Sequence, residues 1–167
     1  ILIDGRIQRN NAGIAFAGLS AFPAFFMRGN SVFMAAAMGV SAFTPLIEGQ
    51  MRISGNLISD AHHRSALPLV LAIADQVAGL LGFAENQCTL MADGQVPAIV
   101  TLTAPRLIVA NNAVRRRGEG AGSMHLTCQS IGKTPIATIS GNITFGNIRV
   151  NGGNLPQTWA PLNILSP

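Results

Sequence analysis

Arg52-Ile53-Ser54-Gly55-Asn56-Leu57-Ile58 and Thr138-Ile139-Ser140-Gly141-Asn142-Ile143-Thr144 are two writings of one phrase. In each, an apolar residue stands three places before an Asn and a β-branched residue two places after it. Looser copies centre on Gly29-Asn30, Glu85-Asn86 and Asn111-Asn112, so five corners run from Asn30 to Asn142. Three places before each Asn stand Met27, Ile53, Phe83, Val109 and Ile139, and five before it Phe25, Met51, Leu81, Leu107 and Ala137. Two places after it stand Val32, Ile58, Cys88, Val114 and Thr144. All of these suit side chains that face one interior.

Before each corner the apolar spacing is two, the period of a strand with one buried face. Across the Asn the step becomes five, so the chain must turn there and still return a side chain to the same interior. Gly and Asn tolerate the left-handed backbone angles that such a turn requires. Asn side chains stacked on one another also pair their amides into a ladder, as in stacked cross-β layers. The intervals from Asn30 through Asn56, Asn86 and Asn112 to Asn142 are 26, 30, 26 and 30 residues. A fixed corner on a coil of nearly fixed length is the signature of a solenoid.

Each coil is expected to hold at least two strands, one before the Asn and one in its middle. For the middle strand, Val40-Ser41-Ala42-Phe43-Thr44-Pro45 matches Val96-Pro97-Ala98-Ile99-Val100-Thr101 by offset, and Ser65 to Leu71 matches Ser123 to Cys128. A short helix after Pro68, reaching Leu80, is the local alternative.

These phrases resemble the right-handed parallel β-helix of the pectate-lyase-like superfamily, over roughly Asp4 to Asn151. The resemblance implies an all-β fold: a right-handed parallel β-helix, or solenoid, of about five to six coils. The superfamily holds lyases, glycoside hydrolases, phage tailspikes and non-catalytic surface proteins, so the likeness bears on architecture more than activity. The ending, from Gly141-Asn142 to Trp159-Ala160-Pro161-Leu162-Asn163, is similar to the tails of large bacterial β-helix proteins of phage-tail-like systems. Residues 1–154 are therefore expected to be coils and 155–167 a C-terminal cap and tail, with Trp159 covering the last layer. Because the text opens at Ile1 inside a strand-like phrase, the expectation is a fragment of a longer chain.

Composition narrows the function classes. The 167 residues are 49% apolar but 5% aromatic, with 18 Gly and no Tyr, which suits thin layers of small side chains. Charged residues are 11%, against roughly 25% in typical soluble domains, and mean hydropathy is +0.39. So much apolar surface predicts burial against other protein subunits or the remainder of a longer chain. The net charge of +4 owes most to Arg115, Arg116 and Arg117. That run is a candidate anion contact, and a glycan is the candidate ligand. Nucleic acid is not expected, because the run lacks interleaved aromatics. The apolar stretch from Ala12 to Met27 is too short and too interrupted for a membrane span.

Candidate chemistry is sparse. The acids Asp4, Glu48, Asp60, Asp75, Glu85, Asp93 and Glu119 include no adjacent pair, whereas glycoside hydrolysis requires two carboxylates flanking one bond. They read as solvated loop charges. Asp60, His62, His63 and Arg64 form the densest polar cluster, with His125 in an equivalent coil as the further candidate ligand, and read as a surface loop. Cys88 and Cys128 fall at apolar positions and read as buried thiols. The sequon at Asn142 reads as a structural corner. No catalytic, cofactor or metal residue is assigned. The expectation is a structural or adhesive module, extracellular or particle-associated and oligomeric, with a polysaccharide lyase or glycoside hydrolase as the alternative.

Overall fold

In a computed structural model of the chain, residues 2–3, 6–10, 14–17, 24–34, 40–43, 50–60, 67–74, 78–90, 96–116, 123–132 and 134–166 are described. Side chains are described for 26–31 and, from residue 50 on, for all of these except 166. The strands fall into three sheets around one core, and the chain visits them in rotation. The first sheet stacks Leu2–Ile3, Ala24–Arg28, Gln50–Ser54, Leu80–Ala84, Arg106–Ala110 and Ile136–Ser140. The second stacks Arg6–Asn10, Ser31–Met34, Leu57–Asp60, Gln87–Leu90, Ala113–Arg116, Ile143–Phe145 and Ile164–Ser166. The third stacks Ile14–Ala17, Val40–Phe43, Val70–Ile73, Val100–Thr103, Met124–Thr127 and Ile148–Val150, closed by the antiparallel Gly153–Asn154.

The chain is thus an all-β parallel solenoid, as expected. Its sheets of six and seven strands differ slightly from the expected five to six coils. Helix is confined, among the described residues, to one 3₁₀ turn at Ala160–Leu162. Each coil has a third strand immediately after the Asn, beyond the two required by the sequence pattern.

Register follows the pattern residue for residue in the first two sheets. Phe25 pairs with Met51, Met51 with Leu81, Leu81 with Leu107 and Leu107 with Ala137. Val32 pairs with Ile58, then come Cys88, Val114 and Thr144. Among the described side chains of this set all are buried except Ala137, which is half-buried and packs on the core. Val70, Ala72, Val100, Leu102, Met124 and Leu126 complete the interior from the third sheet. A parallel ladder keeps like residues stacked, so one small or β-branched side chain per level fills a narrow core without voids. Thr144 brings a hydroxyl inside, and it donates to the Gly146 carbonyl at 2.8 Å, which offsets its desolvation.

The third sheet departs from the expected alignment. Val40 pairs with Val70 and Val70 with Val100, four residues beyond Val96. The reason lies in the loops. Between the second and third sheets the connection is residues 35–39 in one coil, 61–69 and 91–99 in the next two, and 117–123 after that. Between the third and first sheets it is 44–49, 74–79, 104–105 and 128–135. Two different partitions give the same 26-residue coil, so matching offsets back from the Asn misplaced the middle strand. The helix weighed for Pro68 to Leu80 is replaced by the strand Val70–Ile73, whose Val70 and Ala72 face the core.

Candidate functional site

The corners form one continuous hydrogen-bonded column. Nδ2 of Asn30 donates to Oδ1 of Asn56 at 3.0 Å, Asn56 to Asn86 at 2.8 Å, Asn86 to Asn112 at 3.1 Å and Asn112 to Asn142 at 2.8 Å. Each Oδ1 also accepts the backbone N–H of the preceding Asn, at 2.9 to 3.1 Å. The second proton of Nδ2 goes inward and back one coil, from Asn86 to the Ile53 carbonyl and from Asn112 to the Phe83 carbonyl, both at 2.9 Å. Asn56, Asn86, Asn112 and Asn142 are all buried, at no more than 2% exposure, so their amides replace water for backbone groups that the turn takes out of the ladder. The sequon at Asn142 is therefore a buried corner.

The left-handed residue of the turn is the one before the Asn. Gly29, Gly55 and Gly141 have φ of 67°, 64° and 67°, and the same place is held by Glu85 at 58° and Asn111 at 55°. Gly suits this place best because it has no Cβ to crowd the carbonyl. The Asn is selected by its amide, and the residue ahead of it by its backbone.

The column extends one rung further than the sequence reading reached. Asn142 donates from Nδ2 to Oδ1 of Asn163 at 2.8 Å, and Asn163 donates to the carbonyls of Ile139 at 3.1 Å and Trp159 at 2.7 Å. The strand Ile164–Ser166 then continues the second sheet on Ile143–Phe145. Residues 155–167, read as a cap, thus carry a corner and a strand, while Trp159 lies half-buried against the core. The shortened interval from Asn142 to Asn163 hid this rung. The signal available was Asn163-Ile164-Leu165, which repeats the order of Asn56-Leu57-Ile58.

Arg115 is exposed on the second sheet; Arg116 is half-buried in the column that holds the buried Asp60 and Leu90; Arg117 lies outside the described residues. Arg115 and Arg116 therefore stand on opposite faces of their strand. Asp60, read as a solvated loop charge, is fully buried at the end of the strand Leu57–Asp60. Strand alternation carries it inward with Ile58. Glu85 is exposed at its corner. Asp4, Glu48, His62, His63, Arg64, Asp75, Asp93 and Glu119 lie outside the described residues.

His125 stands on the outer face of the third sheet between Thr101 and Arg149 in register. Partial burial and then the Arg149 charge hold its imidazole below the usual histidine range. Burial pushes the Cys88 thiol up to about 12 and raises that of Cys128. Both thiols stay protonated and inert near neutral pH. Among the described residues no group of three or more His, Cys, Asp and Glu is placed to hold a metal ion. Nor is any helix among them long and apolar enough to cross a membrane.

One hollow sits on the outer face of the first sheet. It encloses about 480 Å³ and is lined by Phe26, Arg28, Arg52 and Ser54. A second hollow of about 170 Å³ adjoins it through Arg52 and is lined by Gln50, Leu80, Gly82 and Ile108, among others. Strand alternation explains the lining, since Phe26, Arg52, Gly82 and Ile108 form one outward column in register. The periodicity of the inward positions carries no information about these outward ones between them. A smaller polar hollow, about 160 Å³, lies by Thr103, Thr127 and Gln129. Comparison with protein-family models, curated proteins and solved structures gives no match.

Proposed function

We propose that this chain is a non-catalytic structural or adhesive module, a right-handed β-helical rod belonging to a larger bacterial surface, phage-tail or injection-system-like protein. The reading is supported above all by one observation, the uninterrupted amide column from Asn30 to Asn163, with both flanking sheets in register along it as far as Asn142. Such a column resists bending because every coil is fastened to the next at the same corner, and a repeat array is only as stiff as its interfaces. Placement outside the cell or on a particle suits a module whose stability comes from stacking.

Partners are other protein subunits or the remainder of a longer chain. The reading draws support from the last coils, where Ile131, Ile136, Leu162 and Ile164 are 66%, 62%, 53% and 62% exposed. Apolar side chains concentrated in this way mark contact surfaces.

The test combines light scattering with activity assays on acidic and neutral polysaccharides, read as unsaturated product or new reducing ends. A β-rich assembly of three or more copies without turnover is expected. A monomer that cleaves any of these glycans would replace this reading with a polysaccharide lyase or glycoside hydrolase.

A further inference from the structure

We infer that the outer face of the third sheet carries a binding site for a tetrahedral dianion, a phosphate or sulfate group, held between His125 and Arg149 and flanked by Thr101 and Asn154. The site is a product of register. Thr101 pairs with His125, His125 with Arg149, and Arg149 with Asn154 across the closing antiparallel strand. Residues paired in this way point to one face of a sheet. Alternation along Met124–Thr127 buries Met124 and Leu126 and turns His125 and Thr127 outward. Four polar side chains thus follow one another in a single outward column, at the strand spacing of about 4.8 Å.

The column sets two basic groups side by side with no acid to balance them. Like charges opposite each other on adjacent strands repel, and the Arg149 charge does act on His125. Neither side chain has a hydrogen-bond or ion-pair partner among the described residues. No acidic residue stands in register with either of them. Arg106 shows the ordinary alternative, since its guanidinium donates to the Ala78 carbonyl and is held against the backbone.

The donors suit a group with several oxygens. Guanidinium offers paired N–H donors, and a protonated imidazole offers N–H at both nitrogens. The Thr101 hydroxyl and the Asn154 amide close the column at its two ends. A carboxylate, with two oxygens and one charge, meets only part of this set, whereas a tetrahedral dianion meets all of it. One step along the strands, Thr103 and Thr127 pair with each other and line the hollow of about 160 Å³ with Gln129. No acidic side chain is among its described lining residues.

Charge dictates how binding depends on pH. In register, the neighbouring strands turn only Thr101 and Arg149 toward His125. Partial burial and then Arg149 hold the imidazole below its usual range, so the site has one cation near neutral pH and two in mild acid. A dianion beside the imidazole favours its protonated form. Binding therefore takes up a proton and strengthens as pH falls through the histidine range.

This site stands independently of the assembly proposed above, since it lies on a lateral face and not on the end of the stack. The test follows the His125 imidazole resonances of the whole chain by NMR, identified by their loss in His125→Gln, in sodium sulfate and in sodium chloride of equal ionic strength. Sulfate stays a dianion throughout, whereas phosphate loses its second charge near about pH 6, so sulfate isolates the protonation of His125. Sulfate is expected to raise the His125 midpoint and to bind about fivefold tighter, or more, at about pH 5 than at about pH 8. Arg149→Gln should raise the midpoint in chloride and lower sulfate affinity about tenfold or more, with unchanged circular dichroism. Arg115→Gln, which removes an exposed arginine of the second sheet, should change it less than about twofold. Methyl phosphate binding as tightly as inorganic phosphate supports a site for the head group of a larger ligand, and much weaker binding supports a site for the free ion. The inference is overturned by a His125 midpoint indifferent to sulfate, by an equal sulfate response in Arg149→Gln, by an equal loss in Arg115→Gln, or by the monoanion methanesulfonate acting as strongly as sulfate.

Discussion

The Asn corner and the loops on the other two edges of the coil are built from the same chain under different constraints. At the five corners from Asn30 to Asn142 each coil uses two residues, one left-handed and one Asn. Elsewhere the connections range from the two residues 104–105 to the nine residues 61–69. Loop closure entropy changes slowly with length, so nothing opposes such variation where no side chain must stack. The lesson is that hydrogen bonding between coils, and not coil length, sets the architecture.

The sharpest way to break this contrast is to insert one residue at each kind of site. A Gly inserted between Gly55 and Asn56 shifts the following strand by one and turns its apolar face outward. The expected loss exceeds about 4 kcal/mol, read as loss of a cooperative transition in denaturant. The same insertion between Ser130 and Ile131, in the connection 128–135, should cost less than about 1 kcal/mol. Equal effects would show that the corner carries no special role.

Asn86→Ala removes one rung. The Asn56 N–H and Nδ2 lose their acceptor, and the Ile53 carbonyl loses its donor, all inside the stack. Buried groups left unpaired cost about 1–3 kcal/mol each, so a total of about 3–5 kcal/mol is expected from equilibrium unfolding. A loss below about 1 kcal/mol would mean that water fills the column readily.

The smallest effects concern the residue before the Asn. In Gly141→Ala the new Cβ meets a left-handed backbone and the Asn111 Oδ1, which must swing away. The expected cost is about 1–2 kcal/mol. Glu85→Gly works in the opposite direction, relieving a non-glycine φ of 58°. It should stabilise by less than about 1 kcal/mol, because the unfolded chain gains freedom as well. Thermal melts of the pair should move in opposite directions.

The same contrast explains what could be read from sequence. Met27, Ile53, Phe83, Val109 and Ile139 announced the first sheet because a fixed corner keeps them at a fixed distance from each Asn. Val96 shares the offset of Val40, yet Val100 holds the equivalent place in register, because the loops before and after it trade length. Asn163 was missed because the last coil shortens, although its amide does the same work as the others. The outer groove was not legible at all. Phe26, Arg52, Gly82 and Ile108 share no chemical type, and only the register places them in one column. Asp60 was misread for a related reason: its charge suggested solvent, whereas strand alternation from Ile58 assigned it to the interior.

Native-state hydrogen exchange across the corner tests the central claim most directly. Of the N–H groups that donate to the next Asn side chain, four lie inside the column, those of Asn56, Asn86, Asn112 and Asn142. If the column fastens the coils into one unit, these amides exchange together, at the rate set by global unfolding, far behind those of the exposed Ile131 and Gly132. Exchange of any of the four at the pace of those loop amides would contradict it, showing coils that open one by one and a column that does not hold them.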